Sequence, residues 1–582
     1  MKSANLKRAV SGFMALTMLT GLAACDKKEQ VPETEATTTT IPSVIETTTE
    51  VTEEALPYTF GLGETFHADE PITYTMFFSD ASWYPMVETW ETEGVFKKIE
   101  ELTNVHLDII SYDSNDYMNN VTLDINAGDA AYIIPKIYDE SAFVDGGAVV
   151  AVSDYVQYMP YYTDFYNTYN MSADLQTITK SNGKYYRLPG MLEAPMIDYS
   201  FVIRQDIFEA AGVDVKSMQE TWNWADLLDA LIQVKAYMVE NGMCSESDYI
   251  WSDLWCGNES GQGNGGNLLK VMGATYDVNA GWAIGDGMRY NPATDAFEFS
   301  PTSDAYKEFL ATAESFVNAG ILDPETFTQD DSTATSKYYN GQTVIMSINR
   351  SQYATYEQNM TEQLGAGNYE NYIMTTPVGS TNYTAAGAAR LENGVMLSQN
   401  ALDDLGEDGF IELCRFVDWL FYSPEAYQLY KWGVEGETFE FDADGNKVLL
   451  PGYCCGGLGI GATADTDVDI RLQWGYACGN FYYGHTMAEM TDNLVPAVAD
   501  YVQRDSEYRD VPPLAPGIAP TEDQNEQLNL IATPLIDNVN TWTLKFITGQ
   551  ADLDTQWEEY VASCEALNSQ GLVDLYAEVY NG

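Results

Sequence analysis

Histidine and basic side chains are scarce in this sequence. It has three histidines and 27 lysines and arginines against 88 aspartates and glutamates, for a formal net charge of −61 in 582 residues. Such an excess of negative charge repels nucleic acid and anionic lipid headgroups, so we expect neither as a partner. The three histidines are scattered, which argues against a histidine-rich metal site, and we expect no metal and no cofactor.

The cysteines lack the spacing of a metal or redox site. No pair has the CxxC spacing, and seven cysteines remain once Cys25 near the amino terminus is set aside. An odd number in so long a chain argues against a complete disulfide framework. Pairing of Cys454 with Cys478 or of Cys244 with Cys256 stays open, as does the alternative of buried free thiols.

Long hydrophobic runs are also missing, apart from one at the amino terminus. Residues 9–24 carry no charge and are mostly apolar, which is too short for a membrane-spanning helix of about 20 apolar residues. Basic residues precede this run and small residues end it, the order of a secretory signal peptide over residues 1–24. No other segment predicts a membrane span.

The sequence LAAC at residues 22–25 resembles the bacterial lipobox. In that motif the cysteine thiol becomes a lipid thioether, and cleavage leaves the cysteine as the new amino terminus. The resemblance predicts a lipid anchor on Cys25, at the outer face of the cell membrane of a Gram-positive bacterium, as the chain's only contact with the membrane. The alternative is a chance cysteine after an ordinary signal peptide.

A polar linker follows Cys25. Residues 31–57 contain nine threonines, six glutamates and three prolines, with no lysine or arginine. Such a segment cannot bury enough apolar surface to offset the entropy of ordering it, so we predict a disordered linker over residues 25–69.

Aromatic residues, in contrast, are abundant: the chain has 40 tyrosines and 12 tryptophans, many in polar, glycine-rich segments. Aromatic side chains in such segments suit sugar rings, because a sugar presents an apolar C–H face to the aromatic ring and hydroxyl groups to polar neighbours. The alternative is that most of these aromatics belong to the core.

Alternating strand and helix patterns open the body of the chain. We predict strands at 72–78, 105–111 and 132–138, with helices at 88–102 and 115–127 between them. This order predicts a parallel sheet that presents ligand loops at the carboxyl ends of its strands.

A second α/β unit is expected further along. It would contain a helix over 221–242 capped by Thr221, and strands at 341–348 and 371–378. One long helix is predicted over 407–431, and the DADGN segment at 442–446 is predicted to be a turn, because the residues that complete a calcium loop are missing.

Several segments follow one another in a recognisable order: IEELTNVHLDII, INAGDAAYII, SNGKYYRLP, FVIRQDIFEAAGV with TWNWADL, FVNAGILDPETFTQDD and YNGQTVIM. In this order they resemble the family 1 extracellular solute-binding proteins of ABC importers, within their large Gram-positive lipoprotein branch. The resemblance spans about residues 70–575. One departure is Tyr132, where the family usually has an aspartate before its third strand.

The resemblance implies an α/β, two-lobed periplasmic-binding-protein-like fold of type II, with discontinuous lobes joined by a hinge. Lobe one would take residues 70–195 and 395–450, and lobe two residues 200–390 and 455–575. The implied function is capture of a carbohydrate, expected to be an oligosaccharide, and its delivery to a membrane permease. We expect a monomer and no enzymatic activity.

Seven residues are predicted to bind the ligand. The resemblance places Asp80 and Asp139 in loops at strand ends, where they would accept hydrogen bonds from sugar hydroxyls, and places Tyr353 as an aromatic platform on lobe two. Trp83 would stack on a sugar ring. Loop chemistry alone adds Trp255, Trp474 and Arg390.

Two other functions stay open at this point. A lipid-anchored secreted glycoside hydrolase would share the aromatic platforms but would need two positioned carboxyl groups, which the sequence does not single out among 88 acidic residues. An importer lipoprotein for a non-sugar solute, such as a peptide, is the other alternative.

Overall fold

A computed structural model describes residues 60–581, apart from 83, 145, 258–262, 388, 444 and 482–483. The predicted signal peptide, Cys25 and the linker as far as residue 59 therefore lie outside the described residues. Within the described part, no helix combines the length and the apolar character needed to cross a bilayer.

The strands are β1 (Ile72–Asp80), β2 (Val105–Asp113), β3 (Ile133–Ile137), β4 (Leu188–Leu192), β5 (Tyr199–Arg204), β6 (Met288–Asn291), β7 (Ala296–Phe299), β8 (Ile345–Asn349), β9 (Asn371–Met374), β10 (Leu391–Leu397), β11 (Phe439–Phe441), β12 (Lys447–Leu449), β13 (Tyr453–Cys454), β14 (Val468–Asp469) and β15 (Gly484–His485).

The α-helices are α1 (Thr89–Thr92), α2 (Val95–Thr103), α3 (Tyr117–Ala127), α4 (Ser141–Val144), α5 (Pro160–Thr168), α6 (Ser172–Gln176), α7 (Gln205–Ala210), α8 (Val215–Met218), α9 (Trp224–Glu240), α10 (Gly266–Ala274), α11 (Asp304–Asn318), α12 (Asp331–Tyr339), α13 (Tyr353–Leu364), α14 (Gln399–Tyr422), α15 (Pro424–Trp432), α16 (Ile470–Trp474), α17 (Met487–Thr491), α18 (Pro496–Tyr508), α19 (Glu522–Ile547), α20 (Leu553–Ala566) and α21 (Ser569–Asn581).

Six strands form the larger sheet, in the order β15-β4-β10-β3-β1-β2. Strand β1 pairs in parallel with β2 and with β3, which confirms the parallel arrangement predicted for the first three strands. Strand β10 runs antiparallel to both of its neighbours, β3 and β4. Strand β1 lies inside the sheet and is buried over most of its length, whereas the edge strand β2 begins with alternating buried and exposed residues.

The smaller sheet has three strands in the order β8-β5-β9, and both pairings are antiparallel. Strands β8 and β9 confirm the predicted strands at 341–348 and 371–378. The second α/β unit expected from the sequence therefore has an antiparallel sheet.

Three predicted helix features differ in the structure. The helix expected over 88–102 is divided into α1 and α2 at Gly94, where a Cβ atom would clash with the Trp474 carbonyl oxygen. Helix α9 is capped by Asn223 and not by Thr221, because Asn223 and Asp226 bond each other's backbone N–H groups in a capping box. The helix expected over 407–431 is divided between α14 and α15, with Pro424 opening the second helix.

Two hydrophobic bodies surround the two sheets. The first lobe packs on the six-stranded sheet around residues such as Phe78, Val395 and Trp419, and the second lobe packs on the three-stranded sheet around residues such as Phe201 and Phe309. Because β4 and β5 lie in different sheets, as do β9 and β10, the chain passes between the lobes repeatedly and each lobe is assembled from separate segments.

The segment around residues 455–485 packs with the first lobe, whereas the predicted boundaries gave residues 455–575 to the second. Cys455, Leu458 and Ile470 belong to the core of the first lobe, and β15 pairs in parallel with β4. Helix α18 contacts β9 and returns the chain to the second lobe. Hydrogen bonding at the edge of the larger sheet therefore holds this segment on the first lobe.

The cysteines from Cys244 to Cys564 are free thiols, and six of these seven are buried. The structure therefore agrees with the alternative of buried free thiols over the two suggested disulfide pairs.

Candidate functional site

Three crossings of the chain border the space between the lobes. Residues 193–198 join β4 to β5, residues 389–390 lead into β10, and residues 493–495 lead from α17 to α18. The carboxyl end of β3 and the start of β10 lie at the same edge of the larger sheet, since the two strands are antiparallel. This edge of the first lobe faces the second lobe across what we call the interlobe cleft.

Tyr138 is the most prominent side chain on the first lobe's wall of the cleft. It directly follows β3 and is 68% exposed, unusually high for a large aromatic side chain. The backbone just before it is constrained, because Lys136 has a φ of +60°, a left-handed conformation that non-glycine residues seldom adopt. Glu392 and Asn393 of the neighbouring strand β10 lie beside Tyr138.

The second lobe's wall carries a contact between opposite charges and a cation–π contact. The Arg350 guanidinium lies 3.8 Å from a carboxylate oxygen of Asp198, and the Arg350 backbone N–H donates to the same carboxylate. The Lys270 ammonium lies 3.6 Å from the centre of the Tyr199 ring, a cation–π contact. Strand β5 supplies Tyr199 and helix α10 supplies Lys270, so the wall rests on regular elements.

Two carboxyl groups from opposite lobes influence each other across the cleft. Partial burial raises the pKa of Asp198, although the charges of Arg350 and Lys270 oppose that rise. Burial also raises the pKa of Glu392, and the negative charge of Asp198 raises it further. Hydroxyl groups placed between these carboxylates could donate to both, which would favour a ligand that is rich in donors and carries no negative charge.

A cavity of about 220 Å³ lies beside this cluster and is lined by both lobes. Arg350 and Ala354 line it from the second lobe, Gly457 and Gly459 line it from the first, and the third crossing closes it. At Gly459 a Cβ atom would lie 3.7 Å from the Ala354 Cβ, so small residues allow the two lobes to approach closely there. Aromatic faces, carboxylates and cations together suit a polar ligand with an apolar face.

The structure gives Asp80 and Asp139 local roles at their strand ends. A carboxylate oxygen of Asp80 accepts the backbone N–H of Met86 and so closes the loop after β1. Asp139 accepts both the backbone N–H and the hydroxyl of Ser141, at 2.9 and 2.6 Å. Partial burial by itself would raise the pKa of Asp139, but these two bonds and the charges of Lys180 and Arg187 lower that pKa below its usual value. Trp83 lies outside the described residues.

Tyr353 and Trp474 pack against the cores of their lobes. Tyr353 is 8% exposed and belongs to a core cluster of the second lobe, so its ring faces have no room for a ligand. Trp474 packs against the first lobe's core beside Tyr453, with the ring centres 5.6 Å apart. Loop composition does not show what packs on a side chain, and the roles of these two residues as ligand platforms stay predictions.

The guanidinium N–H groups of Arg390, which the sequence predicts to bind the ligand, have partners within the protein. The guanidinium forms an ion pair of 2.7 Å with the buried carboxylate of Asp174. Its other N–H groups donate to the carbonyl oxygens of Tyr169, Asn170 and Glu193. Since Glu193 lies in the first crossing and Arg390 in the second, this side chain joins the two crossings.

Trp255 stacks on a second tryptophan that the sequence analysis did not select. The rings of Trp255 and Trp282 have their centres 5.2 Å apart and are inclined by 29°. Trp255 packs against a core cluster of the second lobe, while Trp282 is 38% exposed. The exposed member of the pair is thus Trp282.

The residues that sequence reasoning missed are those brought together by the two lobes: Tyr138, Asp198, Tyr199, Lys270, Arg350 and Glu392. One signal was available for Tyr138, which stands next to Asp139 at a predicted strand end. In the part of the chain that the structure describes, no cluster of three or more histidine, cysteine or acidic residues could hold a metal ion.

The sheets, the crossings and the cleft define a two-lobed α/β fold with a cleft between its lobes. Residues 94–398 match the bacterial extracellular solute-binding proteins, and because this match covers more than half of the 582 residues, the chain belongs to that family of solute-binding components of ABC transporters. No curated protein shows significant similarity to the chain.

Solved structures share this fold at low sequence identity. An extracellular solute-binding protein from Bifidobacterium longum subsp. infantis has a TM-score of 0.64 and 14% identity, covering 89% of this chain and 99% of its own. The alginate-binding protein AlgQ2, solved without calcium ion, has a TM-score of 0.62, 14% identity and the same coverages. FusA from S. pneumoniae, in complex with kestose, has a TM-score of 0.59 and 16% identity, covering 88% and 99%. The predicted two-lobed fold is thereby confirmed.

Proposed function

We propose that this chain captures a neutral oligosaccharide between its lobes and delivers it to the membrane permease of an ABC importer. In this proposal a lipid on Cys25 holds the protein at the outer face of the cell membrane. Contacts made by both lobes to one ligand favour the closed arrangement, which the permease can then distinguish from the unliganded one.

The observation that carries the proposal is the exposed ring of Tyr138 in the charged cleft. Tyr138 can cover the apolar face of a sugar, while Asp198, Glu392 and Arg350 can bond the hydroxyl groups at its edge. The net charge of −61 supports a neutral ligand over an anionic one.

Proteins of the same fold support a carbohydrate over a peptide. AlgQ2 is an alginate-binding protein, FusA was solved with kestose, and a B. longum infantis protein is an HMO-binding solute-binding protein associated with an ABC transporter. This support is by analogy of fold.

The test is calorimetry on the chain from residue 26 onward, with malto-, xylo- and fructo-oligosaccharides and with tri- to pentapeptides. We expect binding of one oligosaccharide series, and we expect Tyr138→Ala to weaken it by about 1.5–3 kcal/mol, since a large apolar contact is lost. That loss is roughly 10- to 150-fold in Kd. The matched control is Phe441→Ala, which removes an aromatic ring that is 44% exposed on the β11–β12 hairpin of the first lobe. Binding of peptides alone, or equal effects of the two variants, would contradict the proposal.

One structural feature keeps the hydrolase alternative testable. Asp198 and Glu392 approach the cleft from opposite lobes, and most glycosidases use two carboxyl groups that flank the scissile bond. Binding without turnover is favoured by the contact of Asp198 with Arg350. It is also favoured by the match of the chain to the extracellular solute-binding proteins. We expect a bound oligosaccharide to be recovered intact after prolonged incubation with equimolar protein, and a shortened product in mass spectrometry would favour the hydrolase.

A further inference from the structure

A cavity of about 660 Å³ lies wholly within the second lobe and is distinct from the interlobe cavity. Trp282 lines it, together with Asn264 before α10 and Asp537 and Asn540 on α19. The cavity thus combines an exposed indole with two amides and a carboxylate.

The indole of Trp282 is held in a defined orientation. It stacks on Trp255, which is itself partly buried against the lobe's core and whose backbone N–H donates to Asp331 at 2.6 Å. Trp255 also has a φ of +56°, a conformation that bulky residues adopt only when their surroundings impose it. Trp255 therefore acts as a support that leaves Trp282 accessible.

The polar groups of the cavity have capacity for a ligand. Asp537 and Asn540 are three residues apart on α19 and so share one helix face. Neither of their side chains has a hydrogen-bond partner among the residues that the structure describes. Asn264 is 6% exposed, and its side-chain oxygen Oδ1 already accepts the Gly266 N–H, which fixes the position of its side-chain amide.

The cavity lies close to the interlobe cleft along α10. That helix begins at Gly266, beside Asn264, and carries Lys270 of the cleft one turn later, a rise of about 6 Å. A ligand longer than one or two sugar units could therefore extend from the cleft towards Trp282.

We propose that Trp282, Asn264, Asp537 and Asn540 form an outer subsite for a distal residue of a neutral oligosaccharide. The inference rests on the proposed function and adds that the ligand is longer than a disaccharide. Trp282 covers the apolar face of the distal sugar, and the three polar side chains bond its hydroxyl groups. The carboxylate of Asp537 makes the subsite unfavourable for a uronic acid.

The test measures Kd by calorimetry across chain lengths of two to six units in the malto-, xylo- and fructo-oligosaccharide series. We expect Trp282→Ala to weaken binding of the longer members by about tenfold or more. The same variant should leave the shortest bound member within twofold, and Asn540→Ala should show a smaller effect with the same dependence on length. Leu530→Ala is the matched control, since Leu530 is exposed on the same helix α19 and does not line the cavity.

The possible outcomes separate this subsite from the proposed function. If the unmodified chain binds no oligosaccharide, the proposed function fails and the subsite fails with it. In the other case the chain binds oligosaccharides, and Tyr138→Ala weakens the binding of every chain length. The outer subsite is then overturned if Trp282→Ala has no effect on binding or weakens the binding of all chain lengths equally. A thermal melt shows that Trp282→Ala is folded, and Trp282→Phe should recover part of the lost affinity.

Discussion

Replacing Arg390 by alanine tests whether this side chain holds the hinge or binds a ligand. Arg390 forms an ion pair with Asp174, whose side chain is 4% exposed. Its donors also reach the carbonyl oxygens of Tyr169 and of Glu193 in the first crossing. The variant leaves the Asp174 carboxylate buried without its cationic partner, and it also leaves the carbonyl oxygens without a donor.

The magnitude follows from the burial of the pair. Removing one partner of a buried ion pair costs about 3–5 kcal/mol. The roughly 520 described residues, at about 2.1 cal/mol/K each, have an unfolding entropy near 1.1 kcal/mol/K if they unfold together. We therefore expect Arg390→Ala to lower Tm by about 3–5 °C.

The assay is calorimetric melting of the unliganded protein, together with ligand titration. Arg390→Ala with Asp174→Asn should recover part of the loss, because the double variant no longer buries an unpaired charge. Lys184→Ala is the control, since Lys184 and Asp154 form an exposed ion pair whose loss should leave Tm unchanged. An unchanged Tm with weakened ligand binding would refute the structural role and restore Arg390 as a ligand residue.

Three further predictions concern other parts of the chain. Burial raises the pKa of Asp418 to about 8, although this carboxylate accepts two backbone N–H groups. The protonated form of Asp418 is thus favoured in the folded state, so its contribution to stability is complete below pH 4 and is lost as the pH rises towards 8. The Tm of Asp418→Asn, measured relative to the Tm of the unmodified chain, should therefore rise between pH 5 and pH 8. A parallel pH dependence of the two Tm values would contradict this. Cys25→Ala should abolish acylation in mass spectrometry and release the protein into the medium, whereas unchanged membrane retention would contradict the anchor. Trp83→Ala should weaken ligand binding by roughly 1–3 kcal/mol, the range for loss of a large apolar contact. The variant should not lower the Tm of the unliganded protein, and an unchanged affinity would place Trp83 outside the site.

Local pattern was enough to predict much of the fold. The alternating and apolar segments at 72–78 and 105–111 became β1 and β2 in the predicted parallel pairing, and the segment at 115–127 became α3. These elements follow from periodicity because a strand or helix must turn its apolar residues to one side. Division of the first predicted helix at Gly94 could not be predicted, because it depends on the backbone of α16, about 380 residues further along the chain.

The antiparallel direction of the second sheet and the lobe to which residues 455–485 belong also depend on distant pairing. Strand β15 has only two residues, and its position is set by hydrogen bonds to β4, nearly 300 residues earlier. A segment that short has no periodicity from which its partner could be inferred.

The sequence by itself determined that the chain is acidic, rich in aromatics and built of strands and helices in an order that resembles the extracellular solute-binding proteins. Only the tertiary structure decided which side chains are available to a ligand. Arg390 and Tyr353 have suitable chemistry, but Arg390 is saturated by Asp174 and carbonyl oxygens and Tyr353 is buried. Tyr138 and Tyr199 come from different lobes and interact at the cleft only after folding. The physical reason is that residue type sets what a side chain can bind, whereas burial and existing partners, which come from distant segments, set whether it is free to do so.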